Sequence, residues 1–560
     1  MNNCKFAKKI CMMKRLFTLL MLLCFAASVN AQIAPDKYWV QFKDKEGSPY
    51  SINNPEEFLS ERAIQRRSDY NIAIDEYDIP VNPSYLKTIS DIGATILHPS
   101  KWLNGVSIQT SSQYIVSAIE MLPFVVNVRA LENDDVKQQI KEKTFFSNEY
   151  VEETVMMDDR SYYGAAYPQI NQLNGIALHE MGYQGQGMWI GICDGGFDYV
   201  DRHEVFEDMY NSGRLLGTRD FVYKNGVVYT DSSHGTSCLS LMAANIPNKY
   251  VGTAPLASYF LCRTEDVNSE NVIEEYNWVS AAEFLDSLGV DVISTSLGYI
   301  TFDDPRWDHV YEDLDGETSV ITIGSEIAAS RGILSVVSAG NEGGSDFPYI
   351  SVPADGNNTL TVGAVGADGQ RAYFSSVGPT YDGRTKPDVM AHGYGVTVAT
   401  PGEGSYYDGS GTSYSCPVIA GMVACLWQAN KYLPASAIRD ALRQNSSSYS
   451  NPDNEYGYGI PDFLAALETL FLEEKSDFVI NSPVFIYPNP SNGKVDVELE
   501  IDAKANVKIY DVAGKLLYDN DILVGEEQVL SAFLSDLNQG LYFVNLIEND
   551  KNFVTKLIKY

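Results

Sequence analysis

Between residues 167 and 470 the chain repeats one arrangement: a short, wholly apolar run, then a stretch with helical spacing. The apolar runs lie at 188–193, 259–263, 290–294, 334–338 and 360–365, and the helical stretches at 237–244, 272–288, 325–331 and 417–430. A strand without polar alternation must be covered on both faces, and a helix between two such strands lets them run parallel. The pattern predicts an α/β fold: a parallel sheet with helices on both faces, spanning 167–470.

The flanks read differently. Over 32–130 the order is strand (37–43), helix (55–67), helix (83–92), two strands (94–97, 105–110), helix (112–122) and strand (124–130). That order predicts a small α+β domain. Residues 131–166 are mostly polar and acid-rich without clear periodicity, as in a flexible, cleavable connector. After a linker at 471–483, the turn cluster Tyr487-Pro488-Asn489-Pro490-Ser491-Asn492-Gly493 opens a run of alternating strands at 494–501, 506–510, 515–518, 541–547 and 552–559. This predicts a C-terminal β-sandwich over 484–560.

The first 31 residues read as an address. Lys5, Lys8, Lys9, Lys14 and Arg15 precede the apolar run 16–27, and Val29-Asn30-Ala31 supplies small residues at the cleavage positions. A secretory signal peptide cut after Ala31 is expected. Leu23 before Cys24 rules against a lipoprotein signal. No other stretch reaches 18 apolar residues, so no transmembrane segment is expected. Lys plus Arg is 40 against 74 Asp plus Glu, a net charge of −34. That argues against nucleic acid and against anionic lipid as partners. Of eight cysteines, the five beyond the signal are Cys193, Cys238, Cys262, Cys416 and Cys425. All sit in apolar segments and read as small core residues, with one disulfide allowed. No cysteine or histidine spacing suggests zinc.

Four short motifs carry chemistry. Asp194-Gly195-Gly196 ends an apolar strand, where open α/β sheets place their sites. Ser233-His234-Gly235-Thr236 opens a helix, whose dipole favours a neutral imidazole, the form a general base needs. Ser338-Ala339-Gly340-Asn341 follows a strand and offers a side-chain amide to an oxyanion. Gly411-Thr412-Ser413 precedes a long apolar helix and can present a hydroxyl and a backbone N–H to a cleft. Singly these read as an Asx turn, a cap-region histidine, a turn and a serine N-cap. Jointly they hold the residue types of acyl transfer, in the order Asp, His, Asn, Ser.

With these motifs the sequence resembles the subtilisin-like serine proteases, the subtilases of peptidase family S8. Supporting matches are Gly185-Gln186-Gly187, Gly252-Thr253-Ala254-Pro255, the segment from Val292 to Gly298, and Phe374-Ser375-Ser376 with Gly378-Pro379 and Asp382-Gly383-Arg384. The resemblance implies Ser413 as nucleophile, His234 as base, Asp194 as its orienting carboxylate and Asn341 as oxyanion donor. It also implies a substrate edge at Ser296, Leu297 and Gly298. With Ser338, Ala339 and Gly340, these would wall a pocket whose small residues suggest a roomy, apolar-tolerant site. No cofactor is implied, and calcium is admitted as a structural ion, with Asp and Glu too abundant to single out its ligands. Gly195 stands where the family usually has Ser or Thr, which puts one hydrogen bond to the Asp194 carboxylate in question. Tyr414 and Ser415 replace the common Met-Ala, and His392 stands where Pro is frequent.

Residues 32–130 resemble the family's propeptide in the order of their elements; a stable binding module is the alternative. Residues 484–560 resemble the type IX secretion sorting domain through Tyr487-Pro488-Asn489-Pro490, Ile509-Tyr510-Asp511, Gly514-Lys515 and Gly540; the alternative is a sugar-binding or structural sandwich. Together they imply a zymogen exported through the periplasm and across the outer membrane, secreted or held at the cell surface, with protein or peptide substrates and the type IX machinery as partners. A narrow-specificity processing protease, or a catalytically silent adhesion or scaffold protein on the same fold, is the rival reading.

Overall fold

The computed structural model describes residues 36–131, 162–478 and 484–559, apart from 225, 403, 490, 492, 500–503, 512–514 and 549–550. The expected signal peptide and most of the expected connector lie outside the described residues.

Alternation along Lys37–Phe42 puts Val40 and Phe42 into a core with Val106, Ile108, Ile89 and Ile119. This strand lies inside a four-stranded antiparallel sheet ordered Thr95–Ser100, Gly105–Gln109, Lys37–Phe42, Val125–Ala130. Three α-helices, Glu61–Asp69, Pro83–Ile92 and Gln113–Glu120, complete the unit. Pro83 at the helix start and Gly93 at its left-handed cap, φ +113°, mark the ends of the second.

The apolar runs between 167 and 470 form a seven-stranded parallel sheet. Its order is Val389–His392, Leu360–Val365, Leu334–Ser338, Val292–Thr295, Trp189–Asp194, Ser258–Arg263, Leu215–Asp220. The edge strands Leu215–Asp220 and Val389–His392 were not among the apolar runs read from the sequence. The chain winds one way and then the other from Trp189–Asp194, so the sheet's switch point lies at that strand's carboxyl end, where α/β sheets open a crevice.

Successive strand residues face opposite sides, which divides the interior in two. Ile190, Ile192, Val292 and Val336 meet Leu239, Met242, Val418 and Met422 from the helices His234–Ala243 and Thr412–Ala429. Cys193, Cys262, Ile293 and Val337 meet Trp278, Leu285 and Ile321 from the helices Ile273–Leu288 and Val320–Ser330. The five described cysteines are buried and free of disulfides.

The C-terminal residues form a four-stranded antiparallel sheet, ordered Leu516–Leu523, Lys504–Asp511, Gly540–Glu548, Lys551–Lys559, and a ribbon of Val484–Tyr487 with Asp496–Leu499. The helix Glu527–Ser535 packs beside the ribbon through Ser531 and Ser535, whose hydroxyls accept the backbone N–H groups of Val497 and Val495. Its signal was the buried pair Leu530 and Leu534, one turn apart. The helix Phe463–Phe478 runs into the stretch read as a linker. Among the described residues no helix is long and apolar enough to cross a membrane.

Candidate active site

Asp194 is the last residue of the strand at the switch point and is fully buried. Both its oxygens face His234 Nδ1, at 3.0 and 2.9 Å. The backbone N–H of Gly195 donates to Oδ1 at 2.7 Å, so the main chain orients the carboxylate without a side chain at 195.

The glycines of these two motifs are there for close approach. A Cβ on Gly196 would stand 2.5 Å from the Thr230 carbonyl, and one on Gly235 would stand 2.5 Å from the Gly196 carbonyl. Gly235 N–H donates to that same carbonyl at 3.1 Å. The two glycine backbones interlock, and the interlock sets His234 against Asp194.

His234 opens the helix His234–Ala243 and is buried. The sequence reading expected the helix start to favour neutral imidazole; the structure corrects this. Burial is the largest influence and pulls the imidazole's pKa down, but the Asp194 carboxylate, backed by Cys238, more than offsets it and holds the pKa well above 6.5. A paired carboxylate in contact outweighs a helix end. Cys238, read as a core residue, belongs to this constellation. It lies one turn after His234, with Sγ 3.9 Å from Nδ1, and its spacing of four residues was the available signal.

Ser413 is the second residue of the helix Thr412–Ala429. Pro417 lacks the N–H that would bond the Ser413 carbonyl in a helix. That carbonyl accepts from Ser296 Oγ at 2.8 Å and from Cys238 Sγ at 3.4 Å. The proline thus frees an acceptor that ties the serine to the substrate edge and to the histidine's helix. Ser413 Oγ donates to the Ser296 carbonyl at 3.3 Å. Tyr414 is buried, its ring 6.2 Å from that of His234 and its hydroxyl 2.6 Å from that of Tyr407.

Asn341 Oδ1 accepts from the Thr412 N–H at 2.8 Å and from Thr412 Oγ1 at 3.1 Å. A backbone N–H can only donate, so the amide's orientation follows, and Nδ2 is its remaining donor. Thr412, which sequence reasoning did not single out, also bonds Gly340 on both its N–H and its carbonyl.

Ser296, Leu297 and Gly298 leave the end of strand Val292–Thr295, and Ser338, Ala339 and Gly340 leave that of Leu334–Ser338. Ser338 Oγ donates to the Leu297 carbonyl at 3.4 Å, linking the two walls. Both glycines allow close packing: a Cβ on Gly298 would stand 2.0 Å from Ser351 Oγ, and one on Gly340 would stand 3.1 Å from it. His392 lies away from this chemistry, with Nε2 against the Tyr394 carbonyl at 3.0 Å.

For calcium, Glu265, Glu270 and Glu274 form the oxygen-only group among the described residues, their ligand atoms within 4.8 Å of one another. Such oxygens suit a hard cation, though three carboxylates alone fall short of the roughly 6–8 ligands calcium takes.

The profile of the subtilase family matches residues 185–459. Subtilisin NAT of Bacillus subtilis subsp. natto is 31% identical over 324 residues, covering 57% of this chain and 75% of its own length. The chain belongs to the subtilase family. Subtilisin E of Bacillus subtilis strain 168 matches to the same extent, 31% over 324 residues. Serine protease AprX of the same strain is 30% identical over 306 residues, 49% of this chain and 65% of its own. A crystal structure of MycP1 with the N-terminal propeptide removed aligns with 54% of this chain and 96% of its own, at 21% identity and a TM-score of 0.42. This subtilase is a serine-type endopeptidase. Its flanks match the peptidase S8 propeptide domain of Bacteroidota at 37–145 and a secretion system C-terminal sorting domain at 485–560.

Proposed function

We propose that this subtilase is made as a preproenzyme and, once processed, cleaves proteins through Ser413, His234 and Asp194. In enzyme whose His234 is neutral, Ser413 Oγ turns from the Ser296 carbonyl to His234 Nε2 and attacks the scissile carbonyl carbon while the imidazole takes its proton. The oxyanion accepts from Asn341 Nδ2 and the Ser413 N–H. His234 then passes the proton to the leaving amine, and an acyl-enzyme on Ser413 forms. Water, deprotonated by the same imidazole, releases it. Asp194 orients the imidazole and stabilises the imidazolium throughout.

The observation that carries this reading is the two-oxygen hold of Asp194 on His234 Nδ1, at 2.9 and 3.0 Å, which leaves Nε2 as the working nitrogen. A silent scaffold has no use for such a hold, nor for an amide fixed as that of Asn341 is.

In this reading residues 1–31 are removed at export, 32–130 chaperone and block the enzyme, and the chain is cut within 131–166. Residues 167–470 form the catalytic unit, 471–483 a linker, and 484–560 direct passage across the outer membrane by the type IX route. The enzyme then works in the medium or at the cell surface, and any calcium it holds is structural. Ser413→Ala in the full chain tests the nucleophile: hydrolysis of casein falls on the order of a million-fold, the size of effect that removing the nucleophile has in a subtilisin. Undiminished turnover by the purified variant refutes the assignment.

A further inference from the structure

Asp231 stands three residues before His234, and its backbone lies in the left-handed region, at φ +70°. Across it, the N–H of Ser232 donates back to the Thr230 carbonyl at 2.9 Å. A bond that closes on a residue of positive φ is the classic form of γ-turn, which is rare because it is strained. What leaves this turn is aimed at the catalytic groups. Ser232 Oγ accepts the His234 N–H at 3.1 Å. The Ser232 carbonyl accepts the N–H of Asp198, just beyond the Asp194 strand, at 2.9 Å. The turn therefore sets where the helix of His234 begins relative to the end of that strand.

A strained turn persists only where its surroundings hold it. Here the hold is Arg263, the last residue of strand Ser258–Arg263, fully buried and paired in register with Asp194. Its Nη1 donates to Asp231 Oδ2 at 2.7 Å, and Thr230 Oγ1 donates to the same oxygen at 2.6 Å. The guanidinium lies 4.5 Å from the centre of the Tyr223 ring, and its Nε and Nη2 have no hydrogen-bond partner among the described residues. A buried cation without a counter-charge is costly, so the guanidinium draws the Asp231 carboxylate inward and the turn stays closed. The next residue, Thr264, gives its N–H to the Asp194 carbonyl at 3.0 Å. One strand end thus holds the backbone of Asp194 directly and that of His234 through Asp231.

We infer that Arg263 is a positioning residue for the peptidase reaction: by holding the turn at Asp231, it keeps His234 in line with Asp194 and Ser413. Among the described residues its side chain makes no hydrogen bond to any of the three. The inference rests on the reading of those three as the triad, and it adds a residue to which no catalytic motif points.

The test uses processed enzyme from the full-length chain, counted by fluorophosphonate labelling, on one fluorogenic peptide. Arg263→Met removes the charge and keeps the bulk. We expect kcat to fall by about tenfold to a hundredfold with KM shifted less than about twofold, since a small misplacement of a reacting group lowers rate rather than binding. Asp231→Gly added to Arg263→Met should return kcat to within about threefold of the wild type, because glycine takes the left-handed turn without strain. The Asp231 side chain is 40% exposed, so Asp231→Ala leaves the core intact. Alone, it should lower kcat about tenfold at unchanged KM. A wild-type kcat in Arg263→Met or in Asp231→Ala overturns the inference. So does a loss in Arg263→Met that the added Asp231→Gly does not repair, since a residue that only stabilises the fold gains nothing from a relaxed turn. Should Arg263→Met not fold, Asp231→Ala decides alone. Wild-type enzyme that neither labels nor cleaves overturns the reading of Ser413 instead.

Discussion

Two small units flank the same parallel sheet, and they are built to different ends. The C-terminal unit makes its core from its own residues, Val507, Ile509, Leu530, Val544 and Leu546 among them. The N-terminal unit has a core of its own too, but Trp39, Trp102 and Leu131 belong to the catalytic unit's core beside Trp278 and Leu285. Charge follows the same division. Asp286, in the last turn of the catalytic helix Ile273–Leu288, accepts from Arg66 at 2.6 Å, Arg67 at 2.9 Å and Lys101 at 2.9 Å, all three from the N-terminal unit and all buried. Arg67 also meets Asp78 at 2.7 Å, and Glu283 accepts the backbone N–H groups of Lys101 and Trp102. The difference teaches that one flank is a ligand of the enzyme and the other a domain carried beside it. Because the ionic cluster is out of water, salt screens it little. The N-terminal unit is therefore held until something other than ionic strength removes it.

The largest break in that contrast comes at Asp286. Its replacement by alanine leaves three buried cations around a missing anion, and losing one partner of a buried ionic group costs about 3–5 kcal/mol. In the cut but undissociated enzyme, size-exclusion chromatography should find Asp286→Ala free of its N-terminal fragment under conditions where the wild type retains it. Equal retention would mean that the apolar contacts around Trp39 and Trp102 suffice and that the charges add no grip.

A second test acts through pH. His98 of the N-terminal unit is buried, with Nε2 2.7 Å from the Phe221 carbonyl of the catalytic unit. Burial, reinforced by the nearby Lys224 cation, pushes its pKa down to about 3. When the units part, the imidazole returns to its ordinary value of about 6.5. Between these two values the separated state binds a proton that the docked state does not. Docking is therefore at full strength above about pH 6.5 and weakens as pH falls, by up to about tenfold per pH unit. His98→Leu should flatten the dependence of fragment retention on pH between 6.5 and 4; an unaltered slope places the titrating group elsewhere. The C-terminal unit should show no such response through this histidine.

Much of this architecture was legible because it is local. Periodicity alone ordered the elements of the N-terminal unit, since each of its strands and helices has one face toward the core. Asp194, His234, Asn341 and Ser413 stood out because each sits at a strand end or helix start whose glycines are needed for backbone contact, as at Gly196 and Gly235. What escaped was non-local. Leu215–Asp220 lies at the sheet edge and needs no wholly apolar run. Asp286 looked like any acid on a helix until Arg66, Arg67 and Lys101 were folded onto it from about 185–220 residues away.

The smallest effect should fall on a single hydroxyl used by both units at once. Ser60 caps the helix Glu61–Asp69, accepting the Ala63 N–H at 3.1 Å, and its own proton goes to the Leu288 carbonyl at 2.8 Å, at the end of the catalytic helix. Ser531 also accepts a backbone N–H, that of Val497 at 2.8 Å, but inside the C-terminal unit. Removing a serine cap typically costs about 1 kcal/mol. If the flanks differ as argued, Ser60→Ala should loosen the cut N-terminal fragment about fivefold, measured as its rate of exchange from the enzyme. Ser531→Ala should lower only the melting of the C-terminal strands and leave that exchange rate alone. A Ser60 variant whose fragment exchanges no faster would show that the cap serves its own helix and that the bond to Leu288 contributes nothing to the grip.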